Sequence, residues 1–588
     1  MKKIVNRLIT ALMLTALTGF LACNEDLGNY DYKTINVVDS INNVADVYDV
    51  SIGDTLRITP HLVFSQGEDE GLFTFKWYYR ASDQWNLLQE GKNFEQEIAP
   101  PIGTNRSMAF EIVNKETGLP YRKLFSTRVT TPLAKGYIAL CESEDGFDID
   151  MVAYLPNAGK FNLYKNILEA SESALPRQGV KPVDILTFRD ATAPHPFQTD
   201  GSSYSVYILT DQYTTRIKSS DFSWSPDYDI SSQIESGQYL DTEYKQQGKP
   251  IIAKRMVVTE YTSASIPSQR TWLYHVNENG EGNWFFTQTY PMWRFFAVRL
   301  NMNGGGSDAP RYEPAPYISS QSTLASLLYD KDNHRFMTVV LPGANNTTSF
   351  SGFYYTNPLP VEPDGGAFSY SDPNYEDLLY MGERQYGNNL QRGIAIMKQK
   401  DGSYKYLEFS LTNSTVSSTQ LVQPANRLRA CLFPSGSRID EMKFIAAYPD
   451  YPGNPFIYYV TRDNKVFRAD ISSANAVVDD ITSTFIKDGY SEITQFEFLL
   501  PRTYNSSDCP VSMRFGLAVA TYDASLGKEK GGKLEIFLLK EGSSSGELEL
   551  AKYPTDKELA DNPREDGYQV TMSWKDMGRI VGLDYKQQ

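Results

Sequence analysis

Hydrophobic and polar residues alternate along this chain in short runs, and Gly, Asn, Asp and Pro interrupt the runs every few residues. Alternation with a period of two predicts strands, helical periodicity is scarce, and the predicted class is all-β. Near the start, Leu56, Ile58, Leu62 and Phe64 share one parity, with Pro60 between them. Phe73, Phe75, Trp77 and Tyr79 repeat the pattern, and Met108–Val113 and Lys123–Val129 flank the turn Glu116-Thr117-Gly118. Short alternating strands around one buried tryptophan describe an Ig-like sandwich over residues 34–132, with Trp77 as its candidate core residue. No cysteine lies in that stretch, so this would be a sandwich without the antibody-type disulfide.

From Gly136 onward the pattern becomes one of repeated hairpins. Gly136–Cys141 and Asp148–Leu155 flank Asp145-Gly146, and Tyr204–Thr210 and Thr215–Ile217 flank the next turn. Trp272–Val276 with Trp284–Thr287, Leu327–Tyr329 with Phe336–Leu341, and Gly393–Met397 with Tyr404–Phe409 continue the series. Phe456–Val460 with Val466–Ala469 and Phe515–Tyr522 with Lys533–Leu539 complete it. Such turns suit tight hairpins, and their return at roughly 50–70-residue intervals predicts a β-propeller of about seven blades over residues 135–588. Stacked β-sandwiches are the alternative arrangement. The final alternating segment, Gly578 to Lys586, is a candidate for the strand that closes the ring.

Composition narrows the function. Of 588 residues, 41% are hydrophobic, enough for a substantial core, while a net charge of −16 disfavours nucleic acid and anionic lipid headgroups as partners. Three cysteines, Cys141, Cys431 and Cys509, lie far apart and read as buried free thiols, since they make no disulfide framework. The four histidines, His61, His195, His275 and His334, sit in no zinc-ligand spacing and near no nucleophile. The sequence therefore calls for no metal and no cofactor.

The N-terminus carries an address. Lys2, Lys3 and Arg7 precede an uncharged, mostly apolar run from Leu8 to Phe20, followed by Leu21, Ala22 and Cys23. At roughly 13 residues the run falls short of the ~20 that span a bilayer as a helix, and it reads as a secretory signal. A cysteine directly after the small residue predicts a lipoprotein signal over residues 1–22 and acylation of Cys23, with residues 23–33 as a polar tether. Acyl chains would anchor the protein to a membrane.

Several motifs resemble catalytic elements. Gly542-Ser-Ser-Ser-Gly546 fits the G-x-S-x-G pattern of a nucleophile elbow, but no histidine follows it and its flanks read as a hairpin. Asp145, Asp148 and Asp150 gather near Gly146, where alternating exposed acids on a strand explain them better than a calcium loop. Gly304-Gly-Gly306 lacks the lysine of a phosphate loop and reads as a blade connection. The chain has 72 acidic residues, so no pair can be singled out as glycosidase acids. The densest aromatic group, Trp284, Tyr290 and Trp293, is the candidate ligand surface, with Trp224 as a second. Aromatic faces stack on sugars, and they also pack cores.

The stretch from Cys23 to Lys33 (CNEDLGNYDYK) resembles the mature start of the PKD-like family lipoproteins of Bacteroidetes. Ser51–Pro60 (SIGDTLRITP), Phe75-Lys-Trp77 and the ending Gly578–Lys586 (GRIVGLDYK) are similar to further parts of that family. The acidic pair Glu25 and Asp26 resembles the surface-export signal of such lipoproteins. The resemblance implies an outer-membrane, cell-surface lipoprotein that accompanies a SusC/SusD-like uptake pair in capturing a glycan or peptide nutrient. It carries over no catalytic residue. The expectation is a non-enzymatic binding or assembly component, with a propeller glycoside hydrolase or lyase as the alternative.

Overall fold

The computed structural model describes residues 35–587 apart from 51–54, 68, 82–83, 98–105, 130–131, 157, 190–203, 234–249, 264–265, 277–281, 288–294, 300–311, 314–324, 332, 341–354, 359–365, 387–389, 412–424, 450–453, 500–508, 542 and 565. The chain divides into two compact units, Met1–Val129 and Thr130–Gln588.

The first unit is a β-sandwich. One sheet has five strands in the order Val47–Val50, Pro120–Val129, Arg106–Asn114, Phe73–Ala81 and Gln84–Glu90. Its inner face meets two strand pairs, Val38–Asn42 with His61–Phe64 and Thr55–Ile58 with Phe94–Glu97. Leu56, Ile58, Leu62 and Phe64 are all buried, as their shared parity predicts. Pro60 has no N–H to give a ladder, and it falls where the chain leaves one strand pair for the other. Trp77 is fully buried at the centre, stacked on Phe110 at 4.2 Å and close to Phe94 at 5.0 Å. Its indole N–H donates to the Gly91 carbonyl at 2.9 Å, so burial leaves its one polar group satisfied.

The second unit is a β-propeller. Among the described residues seven blade sheets follow one another, beside one small two-stranded sheet; four of the blades consist of four strands consecutive in sequence, in antiparallel order, and the seventh adds a fifth strand to such a set. Blade 3, for example, runs through Ala253–Ser263, Ile266–Val276, Gly282–Thr287 and Phe295–Arg299. Blade 2 shows three described strands, and blade 1 is built from both ends of the unit. Gly136–Glu142, Phe147–Leu155 and Lys160–Tyr164 supply three of its strands, and Arg579–Lys586 supplies the innermost. That last strand pairs antiparallel with Gly136–Glu142, as expected of a ring-closing segment. Each of the seven hairpins in the series from Gly136 onward is the central hairpin of one blade, formed by its second and third strands.

The core lies in the seams between blades. Blades 7 and 1 share a cluster that includes Tyr137, Met513, Ile536, Ile580 and Tyr585. Blades 1 and 2, 4 and 5, 5 and 6, and 6 and 7 share equivalent clusters. Tyrosines fill much of this space: Tyr137, Tyr207, Tyr406, Tyr458 and Tyr459 are among the largest fully buried side chains. Three of these hydroxyls are bonded within the fold: Tyr406 donates to the Glu408 carboxylate at 3.0 Å, Tyr458 to the Gly546 carbonyl at 2.8 Å and Tyr459 to the Ser437 carbonyl at 2.5 Å. Much of the high tyrosine content therefore serves packing. Cys141, Cys431 and Cys509 are buried free thiols, as their spacing suggests. Among the described residues no helix is long and apolar enough to cross a membrane.

Candidate functional site

In each blade the innermost strand begins at the end of the ring that also carries the central hairpin turn, a consequence of antiparallel order. At that end blades 6, 7 and 1 bring together Lys443, Glu492, Arg579 and Glu142. Arg579 opens the closing strand, Glu492 opens the inner strand of blade 7 (Glu492–Phe498), and Lys443 lies second in that of blade 6 (Met442–Ala447). Glu142 ends the strand that pairs with Arg579.

Arg579 bridges two blades. One Nη donates to Glu142 at 2.8 Å and the other to Glu492 at 2.7 Å, with the guanidinium 5.4 Å from the Tyr522 ring centroid. Lys443 donates to the Ile493 carbonyl at 2.9 Å and stands 3.9 Å from Glu492. Burial lowers the pKa of Lys443 and the nearby Arg579 adds to the effect, while Glu492 opposes it. Lys528, in the central turn of blade 7, reaches Glu142 at 4.0 Å. Both carboxylates share one guanidinium, which is the geometry of an ionic tie. In a two-acid hydrolytic site the acids face each other across a substrate.

The tie is half-exposed, so its contribution is modest. Arg579→Ala is expected to lower the stability of the propeller by about 1–2 kcal/mol, read as a shift in its denaturant midpoint. An unchanged midpoint would show that the tie contributes nothing measurable.

The acids near Gly146 require a correction. Asp148 and Asp150 are 7% and 1% exposed, so they are not solvated acids on a strand face. Asp148 accepts hydrogen bonds from the N–H groups of Ile149, Leu168 and Glu169, at 2.7, 2.8 and 3.2 Å, and pairs with Arg177. It thereby caps the short helix Ile167–Ala170. Asp150 accepts from Asn166 N–H at 2.9 Å and from Gly578 N–H at 3.1 Å, which ties blade 1 to the start of the closing strand. Burial raises the pKa of both acids, and the backbone N–H bonds pull the other way. The signal in the sequence was parity: 148 and 150 share one face of a strand whose other residues are nearly all apolar.

Ser543–Gly546 lie between the paired strands Gly532–Leu539 and Leu548–Leu550, as the flanks of the motif predict, and Gly542 is outside the described residues. Ser543 and Ser545 bond each other at 3.0 Å, and a strand, Leu548–Leu550, follows where an elbow would have a helix. Gly546 takes a left-handed φ of +70°, and a Cβ there would strike the Phe456 ring. Gly546→Ala is expected to cost about 1–3 kcal/mol by the same midpoint measurement, from strain and overpacking together.

Of the aromatic candidates, Trp224 is half-buried against the core shared by blades 1 and 2. Its Nε1–H donates to Thr215 Oγ1 at 2.8 Å, so its polar edge is engaged within the fold. Cys23, Tyr290, Trp293 and the Gly304–Gly306 run lie outside the described residues. Trp284 is placed in strand Gly282–Thr287 by its backbone alone. Among the described residues no group of three or more His, Cys, Asp or Glu is arranged to hold a metal ion.

A family model described as the PKD-like family matches residues 23–170, which takes in the sandwich and the first three strands of blade 1. Comparison with curated proteins gives no match. Among solved structures, a quinonprotein alcohol dehydrogenase-like protein from Bacteroides thetaiotaomicron aligns with 93% of this chain and 99% of its own, at 11% identity and a TM-score of 0.31. An apocarotenoid oxygenase variant from Synechocystis aligns with 88% of this chain and 92% of its own, at 8% identity and a TM-score of 0.34. Likenesses of this size carry neither an activity nor a ligand to this chain.

Proposed function

We propose that this protein is a lipid-anchored, outer-membrane component displayed at the cell surface, where it serves a SusC/SusD-like nutrient uptake complex by binding or assembly and without catalysis. The observation that carries the reading is the basic, then apolar, then Cys23-Asn-Glu-Asp pattern, taken with the PKD-like match that begins at Cys23. Four of the described acids support it. Asp148, Asp150, Glu142 and Glu492 are all engaged in holding backbone or tying blades. The glycan or peptide served by the complex is contacted either by the transporter subunits or by the propeller.

The test is a pull-down from mildly solubilised membranes, with Cys23→Ala as its companion. Recovery of the transporter pair with the wild-type protein, and loss of membrane retention or of processing in Cys23→Ala, are the expected results. Recovery of the protein alone, or normal cleavage and retention of the variant, would overturn the proposal. Reproducible product release from a polysaccharide, abolished by one carboxylate substitution, would replace it with the hydrolase reading.

A further inference from the structure

Six Asp-Gly pairs occur in the chain, beginning at Asp145, Asp200, Asp364, Asp401, Asp488 and Asp566. Asp200 and Asp364 lie outside the described residues, and the other four sit in turns or bends. Such a pair carries a latent reaction, because glycine has no side chain to keep its amide nitrogen from the aspartyl carboxyl. The nitrogen attacks Cγ, an N–Cγ bond forms, the Cγ–O bond breaks, and the amide proton and the hydroxyl leave as water. The succinimide then takes back one water. Opening at the main-chain carbonyl leaves isoaspartate, with the backbone routed through Cβ and Cγ. Atoms balance, and no oxidant or cofactor is needed.

The fold treats the four described pairs differently. The Asp401 carboxylate accepts from the Ser403 N–H and Oγ–H at 2.9 and 2.6 Å, and the Gly402 N–H donates to the Gln399 carbonyl at 2.9 Å. The Asp566 carboxylate is held by Arg564, by the Tyr568 N–H and by Lys160, and the Gly567 N–H donates to the Arg564 carbonyl at 3.2 Å. The Asp145 carbonyl accepts from the Gly179 N–H at 2.8 Å, and a Cβ on Gly146 would strike the Arg177 carbonyl. At each of these pairs a hydrogen bond must break before the nitrogen can turn onto Cγ. The bonds from Ser403 and Arg564 also hold the Asp401 and Asp566 carboxyls below the usual range, and an ionised carboxylate is the poorer electrophile.

Asp488 and Gly489 are placed otherwise. Both are exposed, and both take positive φ, +56° and +86°, at the centre of a tight turn. The Tyr490 N–H closes that turn on the Lys487 carbonyl at 3.1 Å. Among the described residues no group bonds the Asp488 carboxylate, the Asp488 carbonyl or the Gly489 N–H. The Asp523 carboxylate stands beside Gly489 but accepts from the Ser525 N–H and Oγ–H, at 2.9 and 2.7 Å. The peptide joining Asp488 to Gly489 can therefore rotate without losing a hydrogen bond.

We infer that Asp488-Gly489 is a spontaneous modification site, at which the folded protein converts aspartate to isoaspartate as it ages. Its position gives the change a structural consequence. The extra backbone atom enters directly before Tyr490, which is buried with the Lys533 ammonium 4.5 Å from its ring centroid. Glu492, two residues further on, holds Arg579 at 2.7 Å. Breaking one hydrogen bond before attack slows a held pair by about tenfold, which sets the expected contrast.

The test is prolonged incubation of the purified chain at neutral pH and physiological temperature. Digestion follows with an endoproteinase that cuts before aspartate but not before isoaspartate, and mass spectrometry reads the uncut fraction at each pair. The uncut fraction at Asp488 is expected to grow with time and to exceed those at Asp145, Asp401 and Asp566 by about tenfold. In a chain held unfolded in guanidinium the four fractions should converge, because the contrast belongs to the fold. Asp488→Asn keeps the shape and releases ammonia in place of water, so it should gain the mass of deamidation faster than the wild type isomerises. A folded chain in which Asp488 converts no faster than the held pairs would overturn the inference. So would a contrast that persists in guanidinium, or an Asp488→Asn variant that keeps its original mass. None of these outcomes touches the transporter pull-down, which reads a different property.

Discussion

A chain ending at Met577 is expected to lose its folded propeller. The missing strand, Arg579–Lys586, is the innermost of blade 1 and pairs along the length of Gly136–Glu142. Ile580, Leu583 and Tyr585 on it are 0%, 3% and 3% exposed, in the seam between blades 7 and 1. Burial of three such side chains contributes about 5–9 kcal/mol, which already rivals the whole stability of a typical domain. Polar ties go with them. The Asp584 carboxylate accepts from the Thr187 N–H at 2.6 Å, linking blade 1 to blade 2. Lys586 Nζ donates to the carbonyls of Leu133 and Ala134 at 2.8 and 2.9 Å, where the propeller unit begins. Truncation leaves those groups without partners and exposes the inner edge of Gly136–Glu142. Soluble yield, gel filtration and calorimetry follow the effect. A truncated chain that elutes at its normal volume with the wild-type transition would show that the ring does not depend on this closure.

The sequence makes some strands of a blade easier to read than others. The central hairpins are legible because their strands, where burial is described, are buried on both faces at most positions. Phe456–Thr461 is buried at every position, as is Leu517–Tyr522, and tight turns bound each pair. Inner and outer strands carry weaker patterns. Glu492–Phe498 mixes apolar with half-exposed polar residues, and Val477–Asp480 is largely exposed at the edge of blade 6. An edge strand needs only backbone partners, so its side chains are free to look like loop. Ser573–Met577, which adds to the third strand of blade 7 from about 35 residues away, has no local signal at all.

Polar roles were harder still. Asp148 and Asp150 look like surface acids because their partners, the N–H groups of Leu168 and Gly578, are backbone groups far along the chain. Composition cannot announce a carboxylate that serves as a cap. The tie around Arg579 joins positions 142, 492 and 579, which only closure of the ring brings together.

Trp77→Ala is expected to be the most damaging single substitution in the sandwich. Trp77 is fully enclosed, and rings of Phe110, Phe94 and Phe125 lie within 4.2, 5.0 and 5.9 Å of its own. Those rings belong to three different strands and are fixed by the rest of the core, so they close only partly over the space left behind. Removal of a buried tryptophan at such a site costs about 3–5 kcal/mol. For a unit this small that corresponds to a fall of more than about 12 °C in the transition of residues up to Val129. Trp77→Phe separates the two contributions. It keeps most of the ring contact but leaves the Gly91 carbonyl, now bonded at 2.9 Å, without its donor. A smaller loss of about 1–2 kcal/mol is expected there. Calorimetry of both variants decides the matter: equal losses would mean that the hydrogen bond dominates, and an alanine variant within about 0.5 kcal/mol of wild type would remove Trp77 from the centre of this core.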